Sequence, residues 1–218
     1  MELVIFDMDG IIIDTEPVSK EGWARALKYQ GFGMEEAFFV QMLGRSVLVN
    51  EGLLRKEYGP KLDYPTLRKM RNDFVEEHMD KYGVKLKKGI KYMLDTLDGL
   101  GLKKCIATST EWVAMERKLK GLDLIPRFDG IVAGDQVKNG KPHPEIFLKA
   151  ADLIGIKPAN CVVLEDSPAG ITAAFAAGMR PIMIPDLVQP DEELQKKYYT
   201  KCKDLEEAAE VITKLSKH

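Results

Sequence analysis

Cysteine is scarce in this chain. Only Cys105, Cys161 and Cys202 occur in 218 residues, an odd number with no CxxC pair, so they read as free thiols in a reducing compartment rather than a disulfide framework. Cys105 and Cys161 open apolar runs and are expected inside; Cys202 stands beside lysines and is expected at the surface. Long apolar runs are missing too. "LVIF", "GIII" and "AAFAAGM" fall far short of the ~20 residues a membrane span needs. No basic block is present: 32 Lys and Arg are interspersed with 34 Asp and Glu for a net charge of -2. Nucleic acid and acidic membrane surfaces are therefore not expected as partners. No basic stretch precedes the first apolar run, so no signal peptide is expected and the expected localisation is cytoplasmic. Internal repeats and low-complexity segments are absent.

What is present is ordinary globular composition, 45% apolar and 30% charged, enough for one large domain or a core domain carrying an insertion. Five short, continuous apolar runs recur, at residues 3–6, 105–107, 130–133, 161–164 and 181–184. Strands buried on both faces of a parallel sheet have this pattern. Helical patterns alternate with them at about 90–100, 111–120, 144–154 and 168–177, the last with Ser167 as N-cap and proline at the first helical position. A closing amphipathic helix is predicted over about 204–215. The alternation predicts a doubly wound α/β sheet. Residues 15–83 break it, with four helical patterns at about 17–30, 35–42, 46–58 and 66–82. A crossover of that length is not a simple βαβ link. The expected division is a core of residues 1–14 and 84–218 and an inserted helical domain of residues 15–83, joined through "DTEP" and "KYGVKLKKG".

The chemistry gathers where apolar runs stop. In an open α/β sheet, ligands bind outside the carboxyl ends of the strands. There stand Asp7 and Asp9 after the first run, Thr108-Ser109-Thr110 after the second, Lys141 after the third and Glu165-Asp166 after the fourth. Four acids close together cannot all remain ionised and unpaired, and one lysine does not balance them. A hard divalent cation with oxygen ligands does, and Mg2+ is the usual one where phosphates are handled.

The pieces "VIFDMDG", "CIATST", "GKPHPE" and "VVLEDSPAG", in this order, resemble the haloacid dehalogenase superfamily over essentially the whole chain. The likeness is to its phosphatase and phosphomutase branch, which has a Rossmann-like core and a four-helix-type cap inserted after the first strand. The resemblance implies Asp7 as the nucleophile that becomes an aspartyl-phosphate and Asp9 as general acid, then base. It implies Thr108 and the backbone near Ser109 on the phosphoryl oxygens, and Lys141 as charge neutraliser and tether of Asp7. Mg2+ would be held by Asp7, Asp166 and the Asp9 carbonyl, with Glu165 as a further ligand, directly or through water. Thr108 also begins Thr-x-x-Glu with Glu111, the pattern of a capping box. His78 and His143 carry no role from the resemblance.

Within that family, Asp9 argues against halide displacement, since the dehalogenases lack a second aspartate. β-Phosphoglucomutases resemble the chain closely. They carry a histidine four residues after the "DT" threonine, where this chain has Ser19, and an arginine three residues after a cap glycine, where counting from Gly44 gives Val47. Without that guanidinium fork a second phosphate has no evident clamp, although Arg45 stands nearby and keeps the isomerase reading open. "DTEP" and "GMRPIMIPD" resemble phosphosugar and pseudouridine-phosphate hydrolases. The expected activity is therefore Mg2+-dependent hydrolysis of a small phosphomonoester of a sugar, polyol or nucleoside, with phosphosugar isomerisation as the alternative. A receiver-like phospho-aspartate switch is more distant, because receivers need only ~120 residues and have no helical insertion. "LGRS" at residues 43–46, with Gly44 and Arg45, is the candidate specificity loop. The expected partner is a small phosphate ester, and the chain is expected to act as a monomer.

Overall fold

In a computed structural model, which describes residues 1–216, six parallel strands form one sheet. They are β1 (Leu3–Phe6), β2 (Lys103–Ala107), β3 (Gly130–Val132), β4 (Cys161–Glu165), β5 (Arg180–Met183) and β6 (Thr200–Lys201), in spatial order β3-β2-β1-β4-β5-β6. The chain winds outward from β1 in both directions, so the strand order reverses there, which is where such sheets bind ligands. Alternation along β1 shows why the run is continuously apolar. Val4 and Phe6 face a cluster with α5 (Ile90–Gly99), α6 (Trp112–Leu119) and α10 (Leu205–Leu215), while Leu3 and Ile5 face one with α7 (Glu145–Ile154) and α8 (Pro168–Ala176). Both faces are covered, so every position of β1 is buried.

Between β1 and α5 lie only helices: α1 (Glu16–Tyr29), α2 (Glu36–Met42), α3 (Val47–Tyr58) and α4 (Tyr64–Tyr82). They form a cap with its own apolar cluster of Trp23, Leu27, Phe39, Leu54, Tyr64 and Leu67 among others. Two chain passes connect cap and core. They pair through Asp14 N–H to the Lys85 carbonyl at 2.9 Å and Lys87 N–H to the Ile12 carbonyl at 3.0 Å. Among the described residues, no helix is long and apolar enough to cross a membrane.

Several details differ from the sequence reading. A sixth strand, β6, was not expected, nor was the short helix α9 (Glu192–Gln195). Two polar residues at a sheet edge leave no apolar run to read. Cys202, expected at the surface, is 1% exposed. It follows β6, its N–H donates to the Met183 carbonyl at 2.8 Å, and period-two alternation turns its side chain into the core between outward-facing lysines. The capping box also fails to form. Helix α6 begins at Trp112 with Glu111 as N-cap, and the Thr108 hydroxyl accepts from the Thr110 N–H at 3.1 Å instead.

Candidate active site

Strand register builds the site. Phe6 pairs with Ile106 on one side and Leu164 on the other, so the residues that follow, Asp7, Ala107 and Glu165, stand at one level of the sheet edge. Asp7 then leaves the strand into a tight turn, in which the Gly10 N–H donates to the Ile13 carbonyl at 2.9 Å and Ile11, Ile12 and Ile13 are buried. Gly10 is required here on two counts. Its φ of +86° lies in the left-handed region, and a Cβ would sit 2.3 Å from Asp166 Oδ2. The missing side chain is what lets the Asp166 carboxylate lie against the loop that follows Asp7.

Lys141, completely buried, donates to Asp7 Oδ1, to Glu165 Oε1 at 2.7 Å and to the Ala107 carbonyl at 3.3 Å. Burial alone would lower its pKa, but the two carboxylates beside it raise it, so it stays charged. Burial pushes the Asp7 carboxyl up to about 7; Lys141 opposes this and the Glu165 charge adds to it. Asp166 is 5% exposed and accepts no hydrogen bond among the described residues. Burial, then repulsion from Glu165 and Asp7, holds its carboxyl well above the usual range.

Glu165, expected as a further metal ligand directly or through water, is held by protein groups. Its Oε1 is taken by Lys141, and its Oε2 accepts from the Ser167 N–H at 2.7 Å and the Ser167 hydroxyl at 2.9 Å. Both oxygens are engaged and the side chain is fully buried, so it orients Lys141 and the start of α8. Among the described residues, no group of three or more acidic, histidine or cysteine side chains is arranged to hold a metal. The remaining acids still fit a divalent cation. Asp7 pairs with Lys141, and Asp166 joins no ion pair among the described residues. Mg2+ is commonly bound by one or two carboxylates with waters and substrate phosphate completing its shell.

Asp9 lies in a separate network. Its Oδ1 accepts from the Thr15 hydroxyl and from Lys118 Nζ at 2.6 Å, and its Oδ2 from the Thr110 hydroxyl at 2.8 Å. Burial alone would raise its pKa, but Lys118 and the two hydroxyls hold the carboxyl below the usual range. The sequence reading missed Lys118. It is 8% exposed and stands three residues after the buried Met115 on α6, the helical spacing that puts both on one face. A lysine on an apolar stripe was the available signal.

The cap closes over these groups and leaves a cavity of about 190 Å³. Asp7, Asp9, Thr108, Ser109, Gly44 and Arg45 all line it. The Ser109 hydroxyl is spent on the Gly44 carbonyl at 2.8 Å, and Arg45 Nε on the Gln41 carbonyl at 2.6 Å. Gly44 brings the cap against the core at Ser167, the neighbour of Asp166: its φ is +69°, and a Cβ would lie 2.0 Å from Ser167 Oγ. Two ion-pair groups join α4 to α6, Arg68 with Glu111 at 2.8 Å, and Arg117 with Glu76 and, at 3.0 Å, Asp80. The left-handed backbone costs a non-glycine residue roughly 1 kcal/mol or more in any cap position, whereas the collision with Ser167 arises only with the cap seated. Gly44→Ala is therefore expected to lower kcat/KM roughly tenfold or more, with only a small fall in melting temperature. Kinetics equal to wild type would show that this contact is dispensable.

Comparison with known proteins agrees with this geometry. The family model for haloacid dehalogenase-like hydrolases matches residues 4–184. The chain is 36% identical over 184 residues to a phosphorylated carbohydrates phosphatase of Thermotoga maritima, covering 84% of each protein. It is 33% identical over 187 residues to the fructose-1-phosphate phosphatase YqaB of Escherichia coli, covering 81% of this chain and 92% of that one. Its fold resembles that of a β-phosphoglucomutase from Clostridium difficile, with a TM-score of 0.85 at 24% identity over 100% of this chain and 97% of the other. On the match over most of its length, and on the acids its strand ends bring together, the chain belongs to the haloacid dehalogenase-like hydrolase family.

Proposed function

We propose that the protein hydrolyses a small phosphomonoester of a sugar or polyol, with Asp7 as nucleophile. The observation that carries this reading is the pairing of a buried Asp7, tethered by Lys141, with a second carboxylate, Asp9, on the wall of one cavity beneath the cap. The two phosphatase relatives support the reaction class. The cavity of about 190 Å³ is on the scale of a small ligand.

In the first half-reaction an Asp7 carboxylate oxygen attacks phosphorus, the ester P–O bond breaks, and the leaving alkoxide takes a proton from Asp9. In the second, water attacks the aspartyl-phosphate, Asp9 accepts the water proton, and inorganic phosphate leaves with Asp7 restored. The Lys118, Thr15 and Thr110 contacts hold Asp9 as a carboxylate, the form the second half needs; donation in the first requires a protonated Asp9 released from Lys118. Thr108, 1% exposed at the end of β2, is assigned to a phosphoryl oxygen, and Lys141 offsets the charge of the transferring group. Asp7, Asp166 and the Asp9 carbonyl would hold Mg2+, which would supply further positive charge to the phosphoryl oxygens. Residues 15–83 are assigned as the unit that opens and closes.

Hydrolysis is favoured over isomerisation because Ser19 and Val47 stand where the mutase histidine and arginine are expected, and the Nε of Arg45 is turned to the Gln41 carbonyl of α2. The test is release of inorganic phosphate from p-nitrophenyl phosphate, expected to depend on Mg2+ and to stop with EDTA. A single stoichiometric phosphorylation without turnover would instead indicate a switch. Asp166→Asn supplies a readout independent of activity. A carboxyl whose folded pKa is raised weakens the fold as pH rises above its unfolded value of ~3.9, because the folded state then holds more protons than the unfolded one. Removing that charge is expected to raise the metal-free melting temperature at pH 7.5 by on the order of a few degrees and to blunt the further rise Mg2+ gives the wild type. A metal-induced shift identical to wild type would remove Asp166 from the ligand set.

A further inference from the structure

The cavity has a second wall, formed by the cap, where donor and acceptor groups stand without partners. Most cations around it are committed: Arg68 to Glu111, Arg117 to Glu76 and Asp80, and Lys118 to Asp9. Arg71 of α4 is different. It lines the cavity yet forms no ion pair among the described residues. One of its terminal nitrogens donates to Asn72 Oδ1 at 3.0 Å and the other to Ser19 Oγ at 2.6 Å, and the guanidinium lies 5.5 Å from the centre of the Trp23 ring. A guanidinium has five N–H groups, so three remain, including a buried Nε–H with no partner. Glu16 lies one helical turn before Ser19 on α1 and lines the same cavity. Its carboxylate accepts no hydrogen bond and joins no ion pair among the described residues. Asn50, a third lining residue, has a buried Oδ1 without a partner. Buried polar groups left unpaired call for an occupant that pairs them.

The chemistry of this wall selects the occupant. Unsatisfied donors on Arg71 stand with unsatisfied acceptors on Glu16 and Asn50, and the indole of Trp23 offers an apolar face beside them. Hydroxyl groups donate and accept at once, and the C–H face of a polyol packs on an aromatic ring. A second phosphate or a carboxylate offers acceptors for Arg71 but no donor, so it would leave the buried Asn50 Oδ1 unpaired. We propose that Arg71 and Glu16 are specificity-determining residues that read the hydroxyls of an uncharged polyhydroxylated leaving group. The substrate class is then a monophosphate of a sugar or sugar alcohol, and bisphosphates are disfavoured. This inference rests on the phosphomonoesterase reading above.

The test compares kcat/KM for sorbitol 6-phosphate with that for n-hexyl phosphate, a chain of the same length without hydroxyls. Losing charge-assisted hydrogen bonds to the tail is expected to lower that ratio ~30-fold in Arg71→Met, with a smaller fall in Arg71→Lys, which keeps the charge but loses the fork. Glu16→Leu is expected to lower the same ratio. Equal losses on both substrates would overturn the inference and make Arg71 a positioning residue acting through Ser19. The wild type alone also decides, even where a variant does not fold: a ratio near one, or faster hydrolysis of fructose 1,6-bisphosphate than of fructose 1-phosphate, overturns it. Failure of the wild type to turn over p-nitrophenyl phosphate removes the hydrolase reading itself, and this inference with it.

Discussion

Asp7→Asn is expected to lower steady-state turnover by on the order of 10⁴-fold or more, about 5.4 kcal/mol of barrier. The amide keeps the shape of the side chain and its place at the end of β1, but it is a far weaker nucleophile than a carboxylate. The fold should survive, because the substitution removes one of two acids competing for Lys141 rather than the lysine itself. The measurement is phosphate release by wild type and variant at saturating Mg2+, paired with mass spectrometry of acid-quenched enzyme. The wild type should show a covalent phosphoryl adduct during turnover and the variant none. Activity within about tenfold of wild type, ~1.4 kcal/mol, would remove Asp7 as nucleophile.

Lys141→Met is expected to damage both stability and activity. The ammonium is fully buried between Asp7 and Glu165, above the Phe147 ring at 4.8 Å. Removing one partner of a buried ionic group leaves uncompensated charge and costs roughly 3–5 kcal/mol, a melting-temperature fall of on the order of 10 °C for a chain of this size. Replacing charge and partner together is far milder. Lys141→Met/Glu165→Gln should therefore recover much of the lost stability and none of the lost activity, since Asp7 still lacks its tether and the transferring group its counter-charge. Thermal melts and phosphate release across the four-member cycle measure this. A single variant that melts like the wild type would mean that the buried cluster adjusts by protonation instead.

Much of this was legible in the sequence, for definable reasons. Strands buried on both faces must be apolar at every position, so β1, β2, β3, β4 and β5 were visible as runs. Acids that stop such runs are costly unless something neutralises them, so Asp7, Asp9 and Asp166 were visible as well. The adjacent acids Glu165 and Asp166 were not separable. Neighbours along an extended chain point to opposite sides, and only the fold shows that Glu165 turns to Lys141 while Asp166 turns to Gly10. Glu16, Arg71 and Lys118 were harder still. Helical patterning does not show what a face packs against, and what takes Lys118 out of water is the position of α6 beside Asp9. The Ser109 hydroxyl is committed to the Gly44 carbonyl because the cap loop comes down on it, a contact that no sequence pattern signals.

The cap packs its greasy interior against itself, with Val188 as the core's small contribution to that cluster. What fastens it across the catalytic face is a handful of half-wet charges on α4 and α6 and one glycine carbonyl. Lifting it therefore bares little oil, and the charges that let go are promptly hydrated. Dissolved electrolyte competes for the same charges, so lifting of the cap is expected to ease as salt rises, while the sheet beneath is left undisturbed.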